Sequence, residues 1–405
     1  PFVDDAFFEL SSAYAVANSY DTAINTYDKL IERYPKSPYV PKAILNKGLI
    51  LYNQEKLNLA EDVLKGLVMR FTKDAVAQQA LGTLKEIAVD MDEVPQFTQW
   101  LKRRNIDVFS ESELEKTAFT AAEKQFLSNR KKQAKKSFTS FLTAYPEGVN
   151  ALNAHFVLAE IYFEESDMIT ALEHYQKLID EKPNEYFEQA LVRATQILVQ
   201  QDQQASAVPY WKELENVAVF PENKRYALFN LMRWHYRSKA YESAQQKAEE
   251  VIELENLEVK VKWDAYEILA QSAMELGDTI KAEKAFMTLE SAPIDALAAE
   301  AHYFRAQQNH NNKEYEQSNE VIALLSQKFS SQPFWAAKSL LLMAKNFNAL
   351  NDAFQATYIL ESLITNYDQF PDIVMKGKSL LQQINEEQAK QNASLTQENL
   401  SSETP

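Results

Sequence analysis

Apolar residues recur along the chain at spacings of three and four, which places them on one face of a helix. A longer rhythm lies over this local one. A small residue returns about every 37 positions, as Ala23, Ala60, Ala134, Ala171, Ala207, Ala244, Ala282, Ser318 and Ala356, with Phe97 in the third place. Four residues on comes a side chain that is usually large, such as Tyr27, Leu64, Phe138, Tyr175, Trp211 and Phe286. Seven residues on comes an apolar one, such as Leu30, Leu67, Phe141, Leu178, Val251 and Leu363; Arg104 alone breaks that row. Twelve residues upstream of each small residue stands another that is mostly small, including Ser11, Gly48, Ala122, Ala159, Ala270 and Ala344. Small side chains at both places let two antiparallel helices approach closely. Each period therefore predicts a helical pair, often closed by proline, as at Tyr34-Pro35, Tyr145-Pro146 and Ala292-Pro293.

The third period departs most, with Phe97, Arg104 and Pro95 at positions where the others carry different residues, followed by a polar connector over Asn105–Ser112. A kink is expected there, giving three periods over 1–104 and seven over 105–370. Residues 371–388 predict one more amphipathic helix, through Ile373, Leu380, Leu381 and Ile384, which would cover the last apolar face. Residues 389–405 are rich in Asn, Gln, Ser, Thr and Glu without apolar periodicity, and are expected to be disordered.

Phe7, Leu10, Ser11, Tyr14, Ala23, Tyr27, Leu30 and Pro35 follow a pattern that resembles the tetratricopeptide repeat, and the fourth, fifth and eighth periods match it nearly as well. The likeness runs from about Phe2 to Asn366. It implies an all-α fold, a right-handed α-solenoid of about ten helical hairpins plus a C-terminal capping helix. On function it is nearly silent.

Composition narrows the function classes. The chain has only six glycines in 405 residues, where ordinary proteins carry roughly 7%. Few glycines imply few positions of positive φ, which argues against phosphate-cradling loops and all-β folds. The net charge of −16 argues against general nucleic-acid binding. With no cysteine, thiolate metal sites, iron–sulfur clusters and disulfides are excluded, and an oxidising compartment is permitted. No apolar run approaches the ~20 residues of a membrane span. The chain opens on Pro1-Phe2-Val3 and reads as a processed or truncated piece, so a targeting signal or lipid anchor would lie upstream.

No catalytic fingerprint occurs, and no cofactor or metal is expected. His155 and His302 occupy slots where repeats place a core aromatic and read as packed imidazoles; His310, beside Asn311 and Asn312, reads as a solvated cap. The repeat resemblance implies that second, fifth, ninth and twelfth positions of the first helices line a concave groove. Fifth and twelfth positions give Phe119 and Phe126, Phe156 and Phe163, Phe229 and Tyr236, then Tyr303 and His310. Ninth positions between them include Glu123, Glu160, Arg233, Gln271 and Gln307, polar residues suited to orienting a partner's backbone. The alternative for Phe119 and Phe156 is packing against the neighbouring pair. A basic cluster of Lys124, Arg130, Lys131, Lys132, Lys135 and Lys136 sits at a corner on the rim. It reads either as a dock for an acidic partner or as a solvated corner.

The corner Tyr34-Pro35-Lys36-Ser37-Pro38-Tyr39 resembles repeats of Gram-negative envelope proteins, including the lipoprotein of the β-barrel assembly machinery and the Tol–Pal-associated repeat protein. Ser37 is placed to cap the next helix, with Pro38 in its first turn. Residues 367–376 are similar to the end of large periplasmic repeat proteins of Bacteroidota. These likenesses imply a periplasmic, outer-membrane-associated scaffold that binds protein partners and is not an enzyme. A cytoplasmic adaptor, or the helical appendage of an enzyme whose catalytic domain lies elsewhere, are the other readings.

Overall fold

A computed structural model describes the backbone of residues 3–402 and the side chains of residues 3–390. Among the described residues there are 21 α-helices and no strand. The chain falls into two compact units, Pro1–Gln200 and Gln201–Pro405. The first holds α1 (Val3–Val16), α2 (Tyr20–Arg33), α3 (Val40–Asn53), α4 (Leu57–Arg70), α5 (Ala75–Asp90), α6 (Val94–Arg103), α7 (Glu111–Leu127), α8 (Lys131–Ala144), α9 (Ala151–Glu164), α10 (Met168–Asp180) and α11 (Phe187–Gln200). The second holds α12 (Gln204–Val217), α13 (Pro221–Arg237), α14 (Tyr241–Ile252), α15 (Val259–Leu276), α16 (Thr279–Leu289), α17 (Asp295–Asn311), α18 (Tyr315–Lys328), α19 (Pro333–Ala349), α20 (Ala353–Asn366) and α21 (Pro371–Ser402). Within each unit every helix packs on the next, and first helices also pack on the first helix of the following pair, as α3 does on α5 and α17 on α19. Each unit is an α-solenoid stack.

The repeating small residues do what their spacing predicts. Ala23, Ala60, Ala134, Ala171, Ala244, Ala282, Ser318 and Ala356 are all fully buried where two helices meet. Gly48 marks the closest approach: a Cβ there would stand 2.4 Å from Cδ2 of the buried Leu64. The third pair reaches the same end differently. Phe97 is buried on the ten-residue α6, with its ring 6.0 Å from Trp100 and 6.2 Å from Phe109. Aromatic packing thus replaces the alanine contact, and one core cluster continues from Leu45 through Phe97 to Ile161.

The sparse glycine content misleads about the corners. Asn18, Glu55, Asp92, Asn129, Ser166, Asp202, Lys239, Gly277, Lys313 and Asn351 all have positive φ, between 57° and 74°. Each lies five residues before the periodic position, which is small everywhere but at Phe97, and only one is glycine. The following N–H reaches back five residues, as from Ser19 to Tyr14 and from Lys56 to Leu51, which closes the end of the first helix. Asn and Asp tolerate this conformation through local hydrogen bonding, whereas Lys and Glu bear its steric cost. Few glycines therefore did not mean few left-handed residues.

Two local details also differ from expectation. Ser37 Oγ accepts the Tyr39 N–H at 3.2 Å in the turn before α3, and Pro41, not Pro38, lies in that helix's first turn. The end of the chain is capped as predicted, with Ile373 and Ile384 buried against Leu360 and Leu363. But α21 does not stop near residue 388; its backbone continues to Ser402, and residues 403–405 lie outside the described residues. The segment lacks apolar periodicity, yet Glu386-Glu387-Gln388-Ala389-Lys390-Gln391 are all good helix formers, and no Gly or Pro interrupts them.

Candidate binding faces

In the first unit, the expected stripe is only partly available. Phe119 is a core residue and not a groove residue: it is 7% exposed, packed edge-on against Phe138 and Phe141 of α8 at 5.8 and 5.6 Å. Its fifth position points between the helices because the paired rings offer a deeper contact than the open face. Phe126 is half-buried against the core, with Glu123 half-exposed beside it. Phe156 stacks on Tyr186 with centroids 4.6 Å apart, and the Arg193 guanidinium covers Phe163 at 4.5 Å. Glu160 is fully engaged. It accepts from Arg193 Nε and Nη2, each at 3.2 Å, and from the Tyr175 hydroxyl at 2.6 Å.

The second unit repeats the scheme with different residues. Arg233 lies over the Phe229 ring at 4.5 Å and donates to Asp264 at 2.6 Å. Gln271 donates to Glu300 in the same manner, from a ninth position to the second position of the next first helix. Tyr303 packs against Trp335 at 5.5 Å and donates to Gln307 at 3.3 Å. The Lys338 ammonium sits over three rings, 4.8 Å from Tyr303, 5.2 Å from Phe334 and 4.6 Å from Trp335. Burial lowers its pKa, against the pull of Glu300. Glu300 is pushed up to about 7 by burial and by neighbouring Glu267. Glu267 is itself raised by burial and by Asp264, with Arg233 opposing. Burial, and the charges of Glu267 and Glu300, raise the Tyr236 pKa, and its ring meets Tyr241 edge-on at 6.2 Å.

The residues that sequence reasoning missed are Arg193, Asp264, Glu267, Glu300, Phe334, Trp335 and Lys338. The signal was present for four of them: Asp264, Glu300 and Lys338 stand at second positions and Glu267 at a fifth, which the repeat pattern assigns to the same face.

The basic rim is largely neutralised from within. Lys131 and Lys135 pair with Glu164 and Glu165, each at 2.5 Å, Lys135 also lying over Tyr162, and Lys124 is 3.8 Å from Asp90. Arg130, Lys132 and Lys136 remain exposed. His302 is buried and bonded to the Ala298 carbonyl at 2.8 Å, the packed imidazole expected. His310 is not a solvated cap: its Nδ1 meets Oδ1 of the buried Asn346 at 2.5 Å. His155 and His174 form a pair that no local motif encodes, nineteen residues apart, Nδ1 to Nδ1 at 2.8 Å. Their centroids are 5.1 Å apart, so the two nitrogens meet head-on, one donating and one accepting. Burial lowers both pKa values, that of His155 to about 4. No cluster of three or more potential metal ligands exists among the described residues. No helix there is long and apolar enough to cross a membrane.

Residues 5–37 match the family model of the tetratricopeptide repeat. That span is the first hairpin, α1 and α2, with its proline corner. No curated protein matches the chain. Among solved structures, yeast Tom70 is 13% identical, covering 97% of this chain and 90% of its own, with a TM-score of 0.32. A tetratricopeptide repeat protein from Parabacteroides merdae is 14% identical, covering 66% and 98%, with a TM-score of 0.25. YrrB, described as a repeat protein with an unusual peptide-binding site, is 14% identical, covering 48% and 91%, with a TM-score of 0.33.

Proposed function

We propose that this chain is a non-catalytic interaction scaffold, holding a segment of a partner protein against the first-helix face of its repeats. The observation that carries the reading is the face of the second unit. There, four successive first helices present aromatic rings and charged groups side by side: Phe229, Arg233 and Tyr236, then Asp264 and Glu267, then Glu300 and Tyr303, then Phe334, Trp335 and Lys338. Aromatic surface that is half-buried and flanked by donors and acceptors suits an extended polypeptide, which needs both apolar contact and backbone hydrogen bonds.

The Tyr34–Tyr39 corner and the Bacteroidota-like stretch near residue 370 support a place for this scaffold in the Gram-negative envelope. The role is periplasmic and outer-membrane-associated, in assembly or secretion. A photoreactive side chain at position 303, introduced into the chain in envelope preparations, tests the reading. Adducts to one discrete polypeptide are expected, absent when the probe sits at the exposed Tyr358 instead. Equal labelling from both positions contradicts it.

A further inference from the structure

Inside the α9–α10 hairpin two imidazoles meet head-on. Nδ1 of His155 and Nδ1 of His174 are 2.8 Å apart, with ring centroids at 5.1 Å. One nitrogen donates and the other accepts, so the pair holds a single hydrogen between its rings. A first added proton can go to the far nitrogen of the donor ring and leave that bond in place. A second has to go to the accepting Nδ1. Two N–H groups then point at each other without an acceptor, and two positive charges stand one ring apart. With both rings in place, the closed pair does not hold both protons.

The surroundings favour the neutral pair. His155 opens on a cavity of about 470 Å³ that it shares with three exposed side chains, Lys177 of α10, Glu147 and Glu181. The two carboxylates oppose Lys177 from the wet wall of that cavity, where water and salt screen them. His174 stacks on Tyr162 at 5.8 Å, and the Lys135 ammonium of α8 lies 4.9 Å from the same Tyr162 ring, paired with Glu165. From α11, Arg193 is taken up by Glu160. Burial lowers the pKa of both imidazoles, and the like charges of His174 and Lys177 lower that of His155 further, to about 4. Parted rings escape these costs, so acid favours parting.

We infer that the His155–His174 pair is an acid-released latch: when both rings are protonated, α10 parts from α9 and the polar cluster on the first-helix face of the first unit opens. The link is one residue long on each helix. Tyr175 follows His174 and donates to Glu160 at 2.6 Å, and Phe156 follows His155 and stacks on Tyr186 at 4.6 Å. Glu160 also accepts from Arg193, so one carboxylate ties α9 to both α10 and α11. Neutral histidines hold this face closed, and acid loosens it. The latch stands on the hairpin alone; that its release frees a bound segment rests on the groove reading above.

The test uses the full chain with a fluorotyrosine at position 175 as its single fluorine label, followed by fluorine NMR as the pH is lowered from neutral. One resonance is expected at neutral pH, passing about half its intensity by about pH 4 to a second one typical of solvent-exposed tyrosine. In His155→Gln the amide oxygen accepts from His174 whether or not that ring is charged, so the neutral-pH resonance should persist in acid. His174→Gln should behave alike, and a wild-type resonance at neutral pH in either variant shows that the hairpin is intact. A wild-type signal that does not change with pH overturns the inference. So does a change with the same midpoint in both variants, which would trace the opening to Glu160 itself. Capture at position 303 is independent. Its failure removes the groove reading and leaves the latch, whereas an unchanged Tyr175 signal removes the latch and leaves the groove.

Discussion

The faces around α9–α11 and α15–α17 share one backbone plan and differ in how two carboxylates, Glu160 and Glu267, are finished. In the first unit Glu160 accepts from Arg193 and Tyr175, and the rings of Phe156 and Phe163 are covered by Tyr186 and Arg193. In the second, Glu267 has no hydrogen-bond or ion-pair partner among the described residues, and the Glu300 carboxyl is raised to about 7. A face whose hydrogen bonds are closed within the chain is part of the scaffold's own stability. A half-buried carboxylate left unpaired carries a desolvation cost, which raises its pKa. The repeat fixes where side chains stand; only the particular residues decide which of these two conditions holds.

The sharpest way to break this contrast is to cut one carboxylate on each face. Glu160→Ala strands the Arg193 guanidinium and the Tyr175 hydroxyl, so it should destabilise α9–α11 by about 2–3 kcal/mol, read from hydrogen exchange of their amides. Glu267→Gln should cost nothing by the same readout. Equal losses at both sites would erase the distinction.

Acidification should move α9–α10 and α15–α17 in opposite directions, while His235 on α13, its pKa lowered by burial, acts in the same sense as the histidines of the first unit. His155 and His174 have folded pKa values below the ordinary 6.5. The unfolded first unit therefore binds protons that the folded one refuses, and stability is lost as pH falls from about 6.5 toward 4. Glu300, raised to about 7, and Glu267, raised by burial, act the other way. Their contribution is fully present below the ordinary carboxyl pKa of 4.5 and is lost as pH rises toward 7. Between pH 7 and 5, amide protection relative to intrinsic exchange should fall in α9 and α10 while it rises in α15 and α17. His155→Gln should remove the first effect, and Glu300→Gln the second. Asp92, half-buried and raised, works against the histidines within the first unit, so the His155→Gln control is needed to assign the slope.

The smallest effect tests what the units have in common. Lys313 holds φ at 67°, and Lys313→Gly should stabilise its pair by about 0.5–1 kcal/mol. Gly277, at 74°, is the reverse case, and Gly277→Ala should cost about 1 kcal/mol. Thermal unfolding of both variants checks this. A loss at Lys313→Gly would mean that its side chain, not its backbone, holds that corner.

The helical pairs, their close alanine contacts and the capping helix were legible in the sequence because burial at helical spacing leaves a direct trace in residue size. The left-handed corners were not, because glycine was taken as their marker, and Asn, Asp, Ser, Glu and Lys serve instead. The division at Gln200 has no trace in the repeat, which continues unbroken through Ala207. For the faces, ring positions such as Phe163 and Tyr303 followed from the pattern. Phe119 did not, since a fifth-position ring turns inward wherever Phe138 and Phe141 await it. Partners such as Arg193 for Glu160, or His174 for His155, depend on packing across helices, and spacing along one helix does not carry that information.

One comparison bears most directly on the account: photoreactive side chains at Phe163 on the first face, Tyr303 on the second and Tyr358 on the outside, each in the full chain in envelope preparations. The account expects one polypeptide captured chiefly from position 303, less from 163 and none from 358. Capture from 358, or equal capture from all three, would contradict the claim that the open first-helix face of the second unit is where this protein holds its partner.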